Sequence, residues 1–119
     1  MPVVVVRTLR PRDASRVDRM LVSLVEALAD ALTCPPGDVW AYWEEVGAVR
    51  LGERTVGYDG HCPVVSIRSR QGRSEEQIAS GLAAVAHAVS ESMGVPLEDV
   101  WVHWKELAPG RVFAGGRVL

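Results

Sequence analysis

The stretch Met1-Pro2-Val3-Val4-Val5-Val6 opens the chain and decides how the rest is interpreted. Four consecutive β-branched residues are typical of a strand that is buried on both faces, as in a parallel sheet covered on each side. We therefore predict a strand over residues 2–8. A proline that directly follows the initiator methionine becomes a free secondary amine once that methionine is removed, whereas a proline inside a chain is an amide without basic character.

Such an amine suits proton transfer near neutral pH. A free α-amino group has a pKa of about 7.7 to 8.0, and both desolvation and neighbouring cations lower the pKa of an amine. A general base works best when its pKa is close to the working pH. Pro2 is therefore a candidate catalytic base, and the alternative is a proline that merely opens a strand.

The chain contains an internal repeat. A shift of 61 positions aligns its two halves without a gap. The identical pairs include Pro2 and Pro63, Val3 and Val64, Arg7 and Arg68, Arg12 and Arg73, Leu21 and Leu82, Pro35 and Pro96, Trp40 and Trp101, Trp43 and Trp104, and Glu45 and Glu106. Such a match indicates duplication of one supersecondary unit. Pro63 keeps the strand-opening position but is acylated by Cys62, so the second unit has no terminal base.

Each repeat has the pattern strand, helix, strand. In the first, Asp13 or Ser15 can cap a helix that stops before Pro35-Pro36-Gly37. In the second, Ser74 and Gln77 form a capping box and Gly94 ends the helix. The two strands of a unit should pair in parallel through a right-handed crossover.

We therefore predict an α/β (α+β) fold in which two fused βαβ repeats form a four-stranded sheet with two helices on one face. The chain should be a single domain over residues 1–119. It divides into repeat 1 at 2–46, a linker hairpin at 47–61 and repeat 2 at 62–119, and the glycine-rich tail should add a small hairpin.

Both faces of the predicted sheet are apolar, although two helices can cover only one. Trp40 and Trp43 lie three apart in one strand, as do Trp101 and Trp104, so each pair points to opposite faces. An apolar sheet face in water indicates an interface. We expect a homo-oligomer that packs through its sheets.

Composition excludes several classes of protein. The chain has 119 residues, 48% apolar and 24% charged, with a net charge of −2, which does not favour a nucleic-acid partner. It has no apolar run long enough to cross a membrane and no signal-peptide pattern, so we expect a cytoplasmic protein without a membrane partner. Cys34 and Cys62 fit neither a disulfide framework nor a metal site, and the three histidines are scattered, so no metal site is predicted.

Several segments resemble the tautomerase superfamily, whose members are built from βαβ units and use an amino-terminal proline. The segments Gly72-Arg73-Ser74-Glu75-Glu76-Gln77 and Val95-Pro96-Leu97-Glu98-Asp99-Val100, with the tail from Glu106 to Gly116, resemble the 4-oxalocrotonate tautomerase subunit. The fused length, the string from Arg70 to Ser74 and the strand from Val100 to Trp104 are closer to the cis-3-chloroacrylic acid dehalogenase branch. Members with two units per chain are typically trimers, so the resemblance implies a homotrimer.

The resemblance also implies roles for individual residues. Pro2 matches the catalytic amine, Arg73 and Arg70 match arginines that bind a substrate carboxylate, and Arg12 is the first repeat's counterpart of Arg73. His103 matches a tyrosine that helps to activate water. Trp101 and Phe113 would belong to an apolar wall around the substrate, although core packing explains them equally well. Solvated arginines and a hydrogen-bonded interface histidine are the corresponding alternatives.

Some positions depart from the family pattern. Ala114 stands where the dehalogenase branch has a glutamate that activates water, and Ala29 stands where it has a histidine. Trp40 and Trp101 replace the second arginine of the oxalocrotonate enzymes. These departures argue against dehalogenation and against efficient turnover of a dicarboxylate.

The functional prediction is a tautomerase or isomerase, without a cofactor, that acts on a small 2-oxo or enol carboxylic acid. Pro2 would shuttle the proton, Arg70 and Arg73 would hold the carboxylate, and His103 or water would stabilise the oxyanion. One alternative is a hydratase, decarboxylase or dehalogenase-like enzyme with Pro2 as general acid. The other is an oligomeric homologue without catalytic activity.

Overall fold

Two strand-helix-strand units build one four-stranded sheet in the computed structural model, which describes residues 1–56 and 62–119. The elements are β1 (Val3–Thr8), α1 (Ser15–Leu32), β2 (Trp40–Glu45), β3 (Val49–Leu51), β4 (Arg54–Val56), β5 (Val64–Arg70), α2 (Glu75–Met93), β6 (Trp101–Leu107), β7 (Phe113–Ala114) and β8 (Arg117–Val118). Single 3₁₀ turns, Pro36–Asp38 and Leu97–Asp99, precede β2 and β6. The predicted fold of four strands and two helices is confirmed.

The order of the main sheet is β2-β1-β5-β6. β1 pairs in parallel with β2, and β5 in parallel with β6, as the crossover rule predicts. β1 and β5 are antiparallel, however, and Val5 lies opposite Ser66, its own counterpart in the repeat. A pseudo-twofold axis perpendicular to the sheet therefore passes between these two residues. Rotation about such an axis reverses the strand direction and leaves both helices on the same face.

The expectation that β1 is buried on both faces is wrong for the single chain. Val4, Val6 and Thr8 are completely buried, whereas Val3 and Val5 are partly exposed. The helices cover only the face that carries the first set. No helix among the described residues covers the other face, which we call the open face. The tryptophans divide as predicted, since Trp43 and Trp104 pack against the core while Trp40 and Trp101 are 47% and 65% exposed.

The two helices pack against each other, α1 against β2 and α2 against β6. The core between the helices and the sheet contains Met20, Leu24, Leu28, Leu32, Val65, Ile67, Val85, Val89 and Met93, among others. Their side chains recur at helical spacing in α1 and α2 and alternate along the strands, as amphipathic elements require. Burial of this apolar surface is the main stabilising contribution to the fold.

The ends of α2 follow the predicted capping residues, whereas the N-cap of α1 is Ala14, which makes no side-chain capping hydrogen bond, and not Asp13 or Ser15. The Asp13 carboxylate accepts hydrogen bonds from the Ser15 backbone N–H at 3.0 Å and the Ser15 hydroxyl at 2.6 Å. Ser74 and Gln77 form the reciprocal capping box, and Gly94 ends α2 in a left-handed conformation. α1 ends at Leu32, before the prolines, because Thr33 adopts a left-handed conformation with φ of 54°.

Two small hairpins complete the described chain. β3 and β4 form one of them inside the 47–61 segment, and β7 and β8 form the other around Gly115 and Gly116, so the predicted tail hairpin is present. The last part of the predicted linker hairpin, residues 57–61, lies outside the described residues. Neither helix in the described ranges has the length and apolar character needed to cross a membrane.

Candidate functional site

A cavity of about 240 Å³ lies where β1 begins and β5 ends. Because the two strands are antiparallel, the start of one and the end of the other meet at the same end of the sheet, with Val3 opposite Arg68. The cavity is lined by Met1, Val3, Trp40, Arg68, Ser69, Arg70, Leu107, Val112, Phe113, Ala114 and Leu119. It is smaller than pockets for drug-sized ligands, which span roughly 300 to 1,000 Å³, and suits a small molecule.

Pro2 lies between two residues that line this cavity, Met1 and Val3. Its side chain is fully buried, and its carbonyl accepts a hydrogen bond from the Trp40 backbone N–H at 3.0 Å. The proline is therefore held by the β1–β2 ladder. In the chain with Met1 in place, the Pro2 nitrogen is part of a peptide bond.

The fold brings several of the sequence-predicted residues to this cavity. Arg70 contributes from the last position of β5, and Phe113 from the tail hairpin, where it is 71% exposed. Ala114 and Trp40, two of the positions that depart from the family pattern, also line the cavity. The tail and the two central strands thus form one site although they are far apart in sequence.

Other predicted residues lie elsewhere in the single chain. Arg73 is partly buried in the turn before α2, and Arg12 is exposed after β1. His103 projects from the open face of β6, where its Nδ1 accepts a 3.3 Å hydrogen bond from Trp101 Nε1. Trp101 lines a second cavity at the opposite end of the sheet. The roles of these four residues stay predictions.

Arg68 is a cavity residue that our sequence interpretation did not select. It lies two positions before Arg70 in β5, and side chains two apart in a strand point to the same face. That spacing was a signal in the sequence. Within residues 1–56 and 62–119, the guanidinium groups of Arg68 and Arg70 form no hydrogen bond or ion pair.

The second cavity, of about 280 Å³, is the counterpart of the first around Pro63. It is lined by Leu51, Cys62, Pro63, Val64, Glu98, Asp99, Val100 and Trp101. Cys62 is buried against Leu9, Val46 and Val49. Burial, and to a smaller extent the nearby Asp99 carboxylate, raises the pKa of the Cys62 thiol.

A metal-binding cluster of three or more His, Cys, Asp or Glu side chains is absent from the part of the chain that the structure describes. Arg68 and Arg70 carry the charged side chains among the residues that line the first cavity. Guanidinium groups bind carboxylates and phosphates through paired hydrogen bonds. The arrangement is therefore suited to a small organic anion.

Curated relatives identify the family. A probable tautomerase of Bacillus cereus is 35% identical to this chain over 57 residues, which are 48% of this chain and 93% of the relative, and a probable tautomerase of Bacillus anthracis matches equally well. This chain belongs to the tautomerase superfamily. No family model matches it. A relative of about one repeat in length is what a duplicated tautomerase unit should match.

Solved structures show that this superfamily member has the fold of fused 4-OT proteins. A wild-type fused 4-OT asymmetric trimer has a TM-score of 0.87 and 20% identity, with 98% of this chain and 94% of that chain covered. A protein inactivated by 2-oxo-3-pentynoate has a TM-score of 0.89 and 18% identity, with the same coverage. A cis-3-chloroacrylic acid dehalogenase family member, N1, has a TM-score of 0.80 and 22% identity, with 98% and 82% covered.

Proposed function

We propose that this tautomerase superfamily member is a cofactor-independent enzyme that moves a proton between carbon and oxygen in a small 2-oxo or enol carboxylic acid. The observation that supports it most is the cavity in which the start of the Pro2 strand meets Arg68, Arg70 and Phe113. A base, an anion clamp and an apolar wall are the three components that this reaction needs.

Removal of Met1 is the first requirement of the proposal. Met1 lines the cavity, so its loss enlarges the cavity and frees the adjacent Pro2 nitrogen as a secondary amine. That amine would take the proton from the enol hydroxyl, and the electrons would shift to form the carbonyl. The same amine would then deliver the proton to the substrate carbon.

Arg70 would hold the substrate carboxylate, since its guanidinium lines the cavity and has no partner among the described residues. A fork of parallel hydrogen bonds fixes the carboxylate and so orients the reacting carbon toward the amine. Phe113 and Trp40 would form the apolar wall beside it. Ala114 has a methyl group that cannot activate water, which favours proton transfer over hydration.

Arg73, Arg12, His103 and Trp101 would act in an assembled oligomer. We propose a cytoplasmic homotrimer of single-domain subunits, in which the open face is covered by neighbouring copies. The exposed Trp101 and Tyr42 and the partly exposed Val5 on that face support an apolar interface. His103 lies in the same face, so a neighbouring subunit could bring it to a Pro2 site as the oxyanion-stabilising group.

The test uses ketonisation of the enol form of phenylpyruvate, with intact mass measurement to establish that Met1 is removed. Pro2→Ala should lower kcat/KM by about 10² to 10⁴, the usual contribution of a general acid or base. Pro63→Ala is the matched control, because Pro63 occupies the same strand position in the second repeat and is acylated. Equal activities of the wild type and Pro2→Ala, or a retained Met1, would overturn the proposal.

A second measurement identifies directly which nitrogen reacts. Incubation with 2-oxo-3-pentynoate, which inactivates a protein of the same fold, should give a covalent adduct on the Pro2 amine in peptide mass spectra. Arg70→Gln should slow the labelling because the carboxylate of the reagent loses its clamp. An adduct on another residue with Pro2 unmodified would contradict the assignment.

A further inference from the structure

We infer that Arg68 is a specificity-determining residue that binds a second acidic group of the substrate, so that this tautomerase favours small dicarboxylic acids over monocarboxylic acids. The inference rests on the proposed function for the identity of the cavity. It reverses our expectation from the sequence, which took the replacement of an arginine by Trp40 and Trp101 as evidence against a dicarboxylate.

The two ends of the open face differ in charge although the repeat relates them. At the Pro2 end, one row across the strands reads Trp40, Val3, Arg68, Lys105. At the Pro63 end, the equivalent row reads Trp101, Val64, Arg7, Glu44. Three of the four positions are identical after the pseudo-twofold rotation. The fourth is a lysine at one end and a glutamate at the other.

That single difference decides the environment of the arginine. Arg7 Nε donates to Glu44 Oε2 at 2.9 Å, and Arg7 Nη1 is 3.5 Å from Ser66 Oγ. Arg68 has Lys105 at the position of this glutamate, and an ammonium cannot accept a hydrogen bond. The Arg68 guanidinium accordingly has no ion pair or hydrogen bond within the described ranges and is left for an external anion.

The next position on the same face of the strand adds to the asymmetry. Arg70 corresponds to Leu9, which is 7% exposed and packs against Cys62, Val46 and Val49. At the Pro63 end, a buried leucine thus takes the place of the second arginine, and the remaining arginine, Arg7, is neutralised by Glu44. The Pro2 end presents two guanidinium groups, both lining the cavity and both without partners in the described chain.

The geometry fits two carboxylates on one molecule. Arg68 and Arg70 are two residues apart on one face of β5, which separates their backbones by about 7 Å. Each guanidinium group can hold one carboxylate through two parallel hydrogen bonds. A cavity of about 240 Å³ has room for a short chain that joins them. A monocarboxylate would neutralise only one of the two cations.

The experiment compares fumarate and crotonate, four-carbon acids that differ by one carboxylate, by calorimetric titration of the mature protein at constant ionic strength. The wild type should bind fumarate roughly tenfold more tightly, the factor expected for one charge-assisted hydrogen-bonded pair. Arg68→Gln should abolish this preference while leaving crotonate affinity within about twofold. Circular dichroism and sedimentation show whether each variant keeps its fold and assembly.

Two further variants separate the role of Arg68 from that of the fold. Lys105→Glu keeps Arg68 but supplies the partner that Arg7 finds in Glu44, so it should also remove the fumarate preference. Arg7→Gln, at the Pro63 end of the sheet, should leave the preference for fumarate unchanged. Binding without a preference in the wild type, or a preference that survives Arg68→Gln, would overturn the inference. Because titration measures binding and not turnover, these outcomes are independent of whether Pro2 is the base.

Discussion

The Trp43 indole N–H donates a 2.9 Å hydrogen bond to the hydroxyl of the completely buried Thr8, which in turn donates to the Leu9 carbonyl at 2.6 Å. The equivalent Trp104 Nε1 is buried and has no partner among the described residues. The two tryptophans therefore occupy equivalent core positions with unequal hydrogen bonding, although their rings pack alike against the helices.

This difference in hydrogen bonding predicts that Trp→Phe lowers the free energy of unfolding by different amounts at the two positions. Trp43→Phe loses a hydrogen bond and leaves Thr8 with an unused acceptor, whereas Trp104→Phe removes an N–H that is already unpaired. We expect Trp43→Phe to lower the free energy of unfolding by about 1 kcal/mol more than Trp104→Phe. Urea unfolding at equal subunit concentration measures the difference. Equal losses in the two variants would contradict this account.

Gly81 allows Trp104 to pack closely against α2. A Cβ at this position would lie 2.9 Å from Trp104 Cζ3 and 3.1 Å from Leu28 Cδ1. Overpacking costs about 1 to 3 kcal/mol, which exceeds the roughly 1 kcal/mol that alanine gains over glycine in a helix. Gly81→Ala should therefore lower the urea midpoint. Ser80→Ala, at an exposed position next to it, should change stability by less than about 0.5 kcal/mol.

Asp13 should make a pH-dependent contribution to stability. Hydrogen bonds from the Ser15 hydroxyl and backbone N–H, with a smaller effect of the Arg19 cation, hold the pKa of Asp13 below its ordinary value of 3.8. The carboxylate is thus favoured in the folded state. Its contribution is complete above the ordinary pKa and is lost as the pH falls through the lower value of the folded protein.

Asp13→Ala should consequently be less stable than the wild type at pH 7, and the difference should shrink below pH 3.8. Urea midpoints across pH 2.5 to 7 would measure it. Glu26→Ala, an exposed carboxylate in the middle of α1, serves as the control. A difference between Asp13→Ala and the wild type that stays constant across this range would refute the linkage.

Cys62 should react slowly with alkylating agents. Its pKa is raised by burial, so the thiolate fraction is reduced, and its side chain is also less accessible than that of Cys34. Iodoacetamide at pH 8 should modify Cys34 first, and the rate at Cys62 should continue to rise as the pH increases above the usual thiol range. Peptide mass spectrometry over time distinguishes the two sites. Faster modification of Cys62 would show that the Pro63 end opens readily.

Phe113 should contribute to substrate binding and little to stability. It lines the Pro2 cavity while 71% exposed, so Phe113→Ala removes an apolar contact with the ligand at a small cost to the folded chain. We expect kcat/KM for enol phenylpyruvate to fall about tenfold, the equivalent of 1.4 kcal/mol of lost apolar contact. Val118→Ala is the control, because Val118 pairs with Phe113 in the tail hairpin but does not line the cavity. Similar effects of the two variants would indicate a role in the hairpin alone.

Local features were predictable because neighbouring residues determine them. The capping box of Ser74 and Gln77, the left-handed Gly94 and the apolar stripe of α2 depend on contacts within about one turn of helix. α1 ends before Pro35 as predicted, and the left-handed conformation of Thr33, which its side chain does not indicate, sets the last residue at Leu32. The alternation of Trp40 and Trp43 followed from strand geometry alone.

The site was only partly predictable because it combines distant segments. Arg70 was selected through the family resemblance and Phe113 as part of an apolar wall, and the fold brings both to the Pro2 end. Arg68 was not selected, since its importance comes from the lysine opposite it on β6 and not from its own surroundings in the sequence. His103 and Trp101 do not line the cavity near Pro2 in one chain, and both lie on the exposed open face.

The amino-acid sequence alone determined the two equal units, the order of their strands and helices, and the proline at position 2, because repetition and short-range periodicity are properties of the linear chain. Only the tertiary structure decided that β1 and β5 run antiparallel, which places Pro2 beside Arg68 and Arg70 and places Pro63 beside Leu9 and the neutralised Arg7. The physical reason is that a pseudo-twofold rotation makes the two ends equivalent in backbone. The side chains that differ between the repeats then make them unequal in charge.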